Sequence, residues 1–356
     1  MWTLSSLPIV QAPMAGSQGP DLCIAVCEAG GLGSIPCAML TPEILRAQIA
    51  QIRAETRAPF NVNFFAHRPP APDAAREAAW LERLGGYYRD AGLDPATIPK
   101  GPGRAPYDEA MCAVVEETKP AVVSFHFGLP NEGLLARTKA TGAKILSSAT
   151  TVSEARWLDA RGVDAVIAQG REAGGHRGMF LTDDIDAQPG LFALLPQIVD
   201  AVKAPVIAAG GIADGRGIAA AFALGASAAQ IGTAYLLSPQ ASTAPLHRAA
   251  LKTARDDDTR LTNLYTGRPA RGLMTRFMRE QGPFNAAAPA FPLATGAVSP
   301  LRSHAEARGS SDFSPLWSGE AGALAREGDA GELTQKWWKQ AREIIGGATH
   351  MPARPI

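Results

Sequence analysis

Several common signatures of function are missing from this chain of 356 residues. Its six histidines occur at neither H-x₃-H nor H-E-x-x-H spacing, which argues against a metal site. The sequence has no G-x-S-x-G elbow for a hydrolytic triad, no G-x-x-x-x-G-K-[ST] loop for ATP, and no strand–G-x-G-x-x-G–helix unit for a dinucleotide. Zinc enzymes, serine hydrolases, P-loop ATPases and Rossmann dehydrogenases are therefore disfavoured.

Cysteine is scarce, and charge of one sign is nowhere concentrated. The four cysteines form no C-x-x-C pair, so we expect buried free thiols rather than a disulfide framework. Lys+Arg and Asp+Glu both number 34, and no basic run occurs, which argues against nucleic acid as a partner. No apolar run is long enough to cross a bilayer, and the N-terminal segment lacks the basic region of a signal peptide. The expected location is cytoplasmic, with no membrane partner.

Short apolar runs alternate with helix-length segments along most of the chain. Eight runs are candidate strands, at residues 9–14, 31–36, 60–65, 122–127, 144–148, 165–169, 206–210 and 228–236. Their continuous apolar character is typical of parallel strands that are buried on both faces. Helical patterns lie between most of them, at 41–57, 131–141, 153–161 and 217–224. The predicted fold class is therefore α/β, a TIM (β/α)₈ barrel.

Two regions interrupt this alternation. An elaborated loop follows strand 3, at about 66–110, and contains a predicted helix at 73–91. The chain after residue 240 is predicted to be a mostly helical C-terminal cap, with helices at 243–256 and 332–345 and a Pro/Ala-rich loop at 283–300. We therefore expect two parts: a barrel over 1–240 and a helical extension over 241–356 that packs on it.

Glycines and polar residues cluster where the later strands are predicted to end. Gln169 is followed by GREAGGHRGM at 170–179, a poor packing sequence that suits the mouth of a site built from strands. Glycines also end the next two strands, at Gly210-Gly211 and at Gly232-Thr233. In (β/α)₈ barrels the loops after strands seven and eight commonly bind phosphate through backbone N–H groups.

Polar side chains on strands three and four are further candidates. Asn61 and Asn63 alternate onto one face of strand three, where an amide could bind the edge of a heteroaromatic ring or belong to a polar layer inside the barrel. His126 lies near the end of strand four, between two phenylalanines and just before Gly128. A histidine between two phenylalanines is more often a core residue, but its place at a strand end favours a catalytic role, and a neutral imidazole is a suitable base near pH 7.

Five segments, in this order, resemble the nitronate monooxygenase family, formerly called 2-nitropropane dioxygenases. They are QAPMAG at 11–16, NVNFF at 61–65, SFHFG at 124–128, GREAGGHRG at 170–178 and the run 205–233. The resemblance covers residues 8–243, and LWSGE at 316–320 resembles a late motif of the same family. It implies a TIM barrel that binds one FMN without a covalent link.

The resemblance also implies roles for particular residues. His126 matches the family's active-site histidine, the base for neutral nitroalkanes, whereas His176 belongs to the flavin-binding motif. The residues matched to the flavin are Pro13, Met14, Asn63, Gln169, Gly174, Gly175, Gly210, Gly211, Gln230, Ile231, Gly232 and Thr233. The implied reaction is the oxidation of a nitronate by O₂ to a carbonyl compound and nitrite, with propionate-3-nitronate as one possible substrate and a monomer or homodimer as the enzyme.

Other functions fit the same motifs. An FMN-dependent NAD(P)H:quinone or enoyl-thioester reductase could use the same barrel, since a fold does not determine a function. A flavin-free isomerase or lyase could use the phosphate site for a phosphorylated metabolite. A flavin-binding module without catalytic activity is a further alternative.

Overall fold

The protein is described by a computed structural model that covers residues 3–98 and 104–348. Its strands are β1 (Ile9–Gln11), β2 (Gly33–Pro36), β3 (Phe60–Phe65), β4 (Val122–His126), β5 (Lys144–Ala149), β6 (Ala165–Gln169), β7 (Gly175–His176), β8 (Val206–Ala209), β9 (Ala228–Ile231), β10 (Thr259–Thr262) and β11 (Ala270–Leu273). Eight of them form one parallel sheet in the order β1-β9-β8-β6-β5-β4-β3-β2.

This sheet closes on itself next to β1. The Gln11 N–H donates to the carbonyl of Leu32 over 2.9 Å, and the Leu32 N–H donates to the carbonyl of Ile9 over 2.8 Å. Every strand of the ring therefore has a hydrogen-bonded neighbour on both sides, as a barrel requires. The predicted (β/α)₈ fold is confirmed, with one strand from each of the eight predicted runs.

Two of the predicted strands, β1 and β9, end at least three residues earlier than expected. β1 ends at Gln11 because the Ala12 N–H makes the last ladder bond, to Ile231, and the following Pro13 has no N–H to donate. β9 ends at Ile231, after which Thr233–Tyr235 forms a 3₁₀ turn. Both departures place irregular backbone at the carboxyl ends of neighbouring strands, where ligands bind in this fold.

Helices alternate with the barrel strands along the chain. They are α1 (Pro20–Glu28), α2 (Pro42–Glu55), α3 (Ala74–Ala91), α4 (Glu109–Thr118), α5 (Glu132–Ala140), α6 (Val152–Asp159), α7 (Leu191–Ala201), α8 (Gly215–Ala223), α9 (Pro245–Lys252), α10 (Arg276–Gln281), α11 (Ala294–Glu306) and α12 (Ala330–Ala348). Seven of them, α2, α3, α4, α5, α6, α8 and α10, begin at a residue whose side chain accepts an otherwise unpaired backbone N–H. Thr41 caps α2, Asp73 caps α3 and Asn131 caps α5 in this way.

The last helix completes the barrel rather than a separate cap. α12 packs between α8 and α1, in the place of the eighth helix of the ring. The Tyr235 hydroxyl, just after β9, lies 2.6 Å from the hydroxyl of Thr334 on α12. Gly215 allows the close approach of the two helices, because a Cβ there would lie 2.3 Å from the Cβ of Gln340.

The insertion after β3 and the C-terminal region share a second hydrophobic core. α3 contributes Trp80, Leu84 and Tyr88, which pack with Phe277 of α10 and Leu301 of α11. The two regions, far apart in sequence, therefore fold together beside the barrel.

One predicted loop is wrong, and one small sheet is absent from the sequence prediction. The Pro/Ala-rich stretch 283–300 is not all loop, because α11 begins at Ala294 and contains Pro300. Within the predicted helical cap, β10 and β11 form an antiparallel pair, and β11 also pairs with β7. The short strand β7 lies in the glycine-rich turn after β6, so a partner distant in sequence decides that it is a strand.

All four cysteines are free and buried. Across residues 3–98 and 104–348, no helix combines the length and the apolar character needed to cross a membrane.

The shared second core generates a prediction about stability. Trp80 is 1% exposed and packs against Phe277, so Trp80→Ala should lower the free energy of unfolding by about 3–5 kcal/mol. Phe192→Ala is the matched control, because Phe192 is 76% exposed and its loss should cost at most about 0.5 kcal/mol. Urea unfolding followed by circular dichroism measures both, and equal losses would contradict the role of this core.

Candidate active site

A cleft opens at the carboxyl ends of the barrel strands. Its empty volume, counted together with the open mouth, is about 1390 Å³. The residues predicted from sequence that line it are Pro13, Met14, Asn63, His126, Gln169, Gly174, Gly175, Gly210, Gly211, Gln230, Gly232 and Thr233. Ile231 is the exception, because its side chain is fully buried in the barrel core.

The turn after β6 is held by hydrogen bonds within itself. The side-chain amide of Gln169 donates to the carbonyl of His176 over 2.9 Å and accepts the Gly178 N–H over 2.7 Å. The Arg177 side chain is 0% exposed and donates to the carbonyls of Gln169 and Gly170. Of the polar side chains in this turn, Arg177 and the amide of Gln169 therefore hold the backbone in shape.

Glu172 of the same turn also has a structural role. Both of its carboxylate oxygens accept the Leu191 N–H at the start of α7, each over 2.8 Å. A carboxylate at a helix N-terminus satisfies a free N–H and meets the positive end of the helix dipole. The residues of this turn that line the cleft therefore include His176 and the glycines Gly174 and Gly175.

Both ring nitrogens of His126 have partners in the protein. Nε2 lies 3.1 Å from the carbonyl oxygen of His176, and Nδ1 lies 3.0 Å from the hydroxyl oxygen of Ser148. A carbonyl oxygen can only accept, so Nε2 carries the proton and Nδ1 accepts from Ser148. These two contacts assign the neutral ring to its Nε2–H tautomer.

The histidines near the cleft are held in their neutral form. Burial lowers the pKa of His126 to about 4, an effect that the bond to the His176 carbonyl opposes and that Arg268 and Arg177 reinforce. Burial also lowers the pKa of His67 to about 4 and brings that of His176 well below its usual value. At neutral pH these imidazoles are uncharged, and the basic site of His126 is the Nδ1 lone pair that accepts from Ser148.

The glycines after β8 form a cradle against the rim of the cleft. Gly210 and Gly211 adopt φ values of 114° and 68°, a region that L-residues with a Cβ rarely occupy. Beside them begins the 3₁₀ turn Thr233–Tyr235, whose first N–H groups have no partner within the turn. Both segments line the cleft, and glycine-rich backbone of this kind is typical of oxyanion sites such as those for phosphate.

Two further side chains at the cleft are among those that the resemblance matched to a flavin. The side-chain oxygen of Gln230 is buried and has no hydrogen-bond partner among the described residues, so it is free to accept from a ligand. The Asn63 amide donates to the hydroxyl of Ser124 over 2.8 Å, which fixes its orientation at the cleft wall. Asn61 instead donates to Ser34 inside the barrel and belongs to an interior polar layer.

The C-terminal region supplies a wall that the sequence analysis did not assign to the site. Trp317 and Gly319 line the cleft, and the Gly319 N–H donates to the Thr233 hydroxyl over 3.0 Å. Gly174 permits this approach, since a Cβ there would lie 2.5 Å from the Gly319 nitrogen. The LWSGE motif at 316–320 was the available signal in the sequence.

Arg104 and Ser148 also line the cleft without having been predicted. Arg104 follows the insertion helix and donates to the Thr295 hydroxyl over 3.2 Å. It stands in no recognisable motif, and neither does Ser148, which precedes the end of β5. Among the described residues, no group of three His, Cys, Asp or Glu side chains is arranged to hold a metal ion.

The chain matches known proteins over nearly its whole length. The family model described as nitronate monooxygenase matches residues 1–339. A nitronate monooxygenase of Pseudomonas aeruginosa is 44% identical over 94% of this chain and 96% of its own, and one of Paraburkholderia phytofirmans is 43% identical over 95% and 93%. The solved structure of a nitroalkane oxidase from Streptomyces ansochromogenes has a TM-score of 0.89 and 41% identity, covering 97% of this chain and 98% of its own.

The neutral buried histidines predict sensitivity to acid. In the unfolded chain a histidine takes up a proton near pH 6.5, whereas His67, His126 and His247 do so only near pH 4 in the fold. Between these values the unfolded state binds more protons, so stability falls as pH falls, by roughly 1–3 kcal/mol for each histidine. Thermal unfolding at pH 7.5, 6 and 5 measures the trend. His247→Gln should weaken it, and an unchanged slope in that variant would contradict this origin.

Proposed function

The chain belongs to the nitronate monooxygenase family of flavin-dependent oxidoreductases, and from that premise we propose that it oxidises alkyl nitronates with O₂ to a carbonyl compound and nitrite. The single observation that carries this proposal is the chemistry of the cleft wall. No Asp or Glu is among the described residues that line the cleft, whereas Arg104 and the neutral His126 are. A site of this composition favours an anion.

Arg104 is the cation that meets the substrate in this proposal. Burial lowers its pKa to about 10, so it stays charged at neutral pH. No carboxylate lies within 4 Å of it among the residues in the described ranges, so its charge is not neutralised by an ion pair. A half-buried, unpaired guanidinium attracts an anion more strongly than one exposed to water, since the local dielectric constant is lower.

FMN is the proposed cofactor. The cradle of Gly210, Gly211 and the turn at Thr233 supports one phosphate, and the free side-chain oxygen of Gln230 supports a donor on the flavin. When bound, a flavin supplies the one-electron redox chemistry that links the substrate to O₂. The protein's part is to bind the anion, to orient it and to exclude water from the cleft.

His126 has two tasks in this proposal. As a neutral imidazole it can take the carbon-bound proton of a nitroalkane, which converts a neutral substrate into the reactive nitronate. The resulting imidazolium would then offset the charge of the anion beside it. A preformed nitronate needs only the second, polar role.

The two tasks of His126 can be separated by substitution. We expect His126→Asn to lower oxygen uptake with neutral nitroethane by about 10²–10⁴-fold, because the base is lost. With ethyl nitronate the loss should be smaller, since a hydrogen bond to a charged group is worth roughly 1.5–3 kcal/mol. An oxygen electrode measures both rates.

His247→Asn is the matched control for that experiment. His247 is also buried, and its Nε2 likewise lies 3.1 Å from a carbonyl oxygen, that of Trp317, but it does not line the cleft. The His247→Asn variant should therefore keep both activities within a few fold of the wild-type rates. Equal rates of His126→Asn and wild type on both substrates would remove His126 from the mechanism.

The phosphate cradle predicts the effect of a side chain at Gly211. Gly211→Val should lose flavin while the protein stays folded, because its φ of 68° disfavours a β-branched residue at the point of phosphate contact. Gly142→Val is the control, since Gly142 has a φ of 88° but lies in open space between α5 and β5. Absorbance at the flavin band, and chromatography of the released cofactor, measure the outcome. Full flavin content in Gly211→Val, or release of FAD, would contradict the proposal.

A single measurement distinguishes a nitronate oxidase from the NAD(P)H-dependent reductase alternative. Anaerobic mixing of the yellow protein with NADH or NADPH would bleach the flavin rapidly in a reductase, whereas a nitronate oxidase needs no nicotinamide. A colourless protein would favour the flavin-free isomerase or lyase. A yellow protein that consumes no oxygen with any nitronate would favour a binding module.

A further inference from the structure

The direct path from the cleft to the base is obstructed. The proton-bearing Nε2 of His126 is committed to the carbonyl of His176, so only Nδ1 has a lone pair for an incoming proton. That lone pair already accepts the hydroxyl proton of Ser148 over 3.0 Å. A substrate cannot reach Nδ1 in this arrangement without displacing Ser148.

Gly178 covers the same edge of the ring. A Cβ at this position would lie 2.8 Å from His126 Cε1, 3.2 Å from His126 Nδ1 and 3.0 Å from the Cβ of Ser148. The backbone of Gly178 is therefore packed directly against the hydrogen bond between the two side chains. No space remains on that side for a ligand atom.

Of these two residues, Ser148 is the one that can contact both His126 Nδ1 and a ligand in the cleft. It lines the cleft together with His126, and its hydroxyl has no other protein partner among the described residues. A serine hydroxyl has one proton to donate and two lone pairs. With the proton directed at Nδ1, the lone pairs remain for a group in the cleft.

A buried carboxylate holds this arrangement rigid. Glu154 is 0% exposed, and one of its oxygens accepts the N–H and the hydroxyl of Thr150, two residues beyond Ser148. Its other oxygen accepts the backbone N–H groups of Phe180 and Leu181, just after Gly178. The end of β5 and the segment that covers His126 are thereby clamped to one side chain.

From this geometry we propose that the Ser148 hydroxyl relays the proton between a carbon acid in the cleft and His126. The inference rests on the proposed nitronate chemistry. As the C–H bond breaks, Ser148 Oγ takes the proton and passes its own to Nδ1, while the electron pair stays on the substrate as the nitronate. Ser148 ends neutral, and His126 ends as the imidazolium.

The relay is tested by the exchange of the α-hydrogens of nitroethane for deuterium in D₂O, under anaerobic conditions and with the yellow protein as catalyst. The loss of the α-hydrogen signal of nitroethane is followed by proton NMR. We expect Ser148→Ala to slow the enzyme-catalysed exchange by about 10²-fold or more, to the level of His126→Asn, as the loss of a positioned proton acceptor does. Oxygen uptake with preformed ethyl nitronate, which needs no proton transfer from carbon, should fall much less than the exchange does. Ser147→Ala is the matched control, because Ser147 lies on the same strand and donates to Gly128, outside the cleft.

Each outcome bears on the relay. If Ser148→Ala catalyses exchange at the wild-type rate, His126 takes the proton directly and the inference is overturned. It is also overturned if the wild-type enzyme does not accelerate exchange over the rate in buffer. An equal fall of exchange and of nitronate oxidation in Ser148→Ala, or a similar fall in Ser147→Ala, would make Ser148 a structural residue. If the wild-type protein catalyses exchange, and Ser148→Ala does not, but the wild type consumes no oxygen with any nitronate, the proposed function would be contradicted and the relay would stand. Circular dichroism checks that each variant is folded.

Discussion

The cleft depends on the way the turn after β6 is tied to its own strand. Arg177 is buried with its guanidinium on the carbonyls of Gln169 and Gly170, and the Gln169 amide bridges His176 and Gly178. A buried cation without these acceptors would be strongly unfavourable, so the turn has one satisfactory conformation. That conformation directs the His176 carbonyl at His126 and packs Gly178 on its ring. The tautomer of His126 therefore depends on a cation outside the cleft.

The same turn connects the barrel to the rest of the chain. His176 pairs with Ala270 of β11, and the Glu172 carbonyl accepts the Glu320 N–H. Through these contacts the C-terminal region is fixed as a wall of the cleft, with Trp317 beside His176 at a ring distance of 5.5 Å. Thr295 of α11 holds Arg104 from the same side. The region after β9 is thus part of the site and also, through α12, part of the barrel.

The electrostatics of the cleft follow from burial. The histidines lose charge because the surroundings are poorly solvated and Arg268 and Arg177 lie near them, which penalises further positive charge. The arginines keep their charge because the guanidinium has a far higher intrinsic pKa. The result is a cleft lined by a neutral imidazole and a fixed cation, with no carboxylate among the described residues of its wall. Such a site suits a substrate that is an anion or becomes one.

The sequence by itself determined the barrel and the position of the cleft, because both follow from local patterns. Continuous apolar runs specify buried parallel strands, and a glycine at a strand end specifies backbone that approaches a ligand, so β8 with Gly210 was readable without any partner. Only the tertiary structure decided the pairing of β7, the helix at Ala294 in a proline-rich stretch, and the places of Arg104 and Ser148 in the cleft wall. These depend on contacts between segments up to about two hundred residues apart, whose energies no local pattern records.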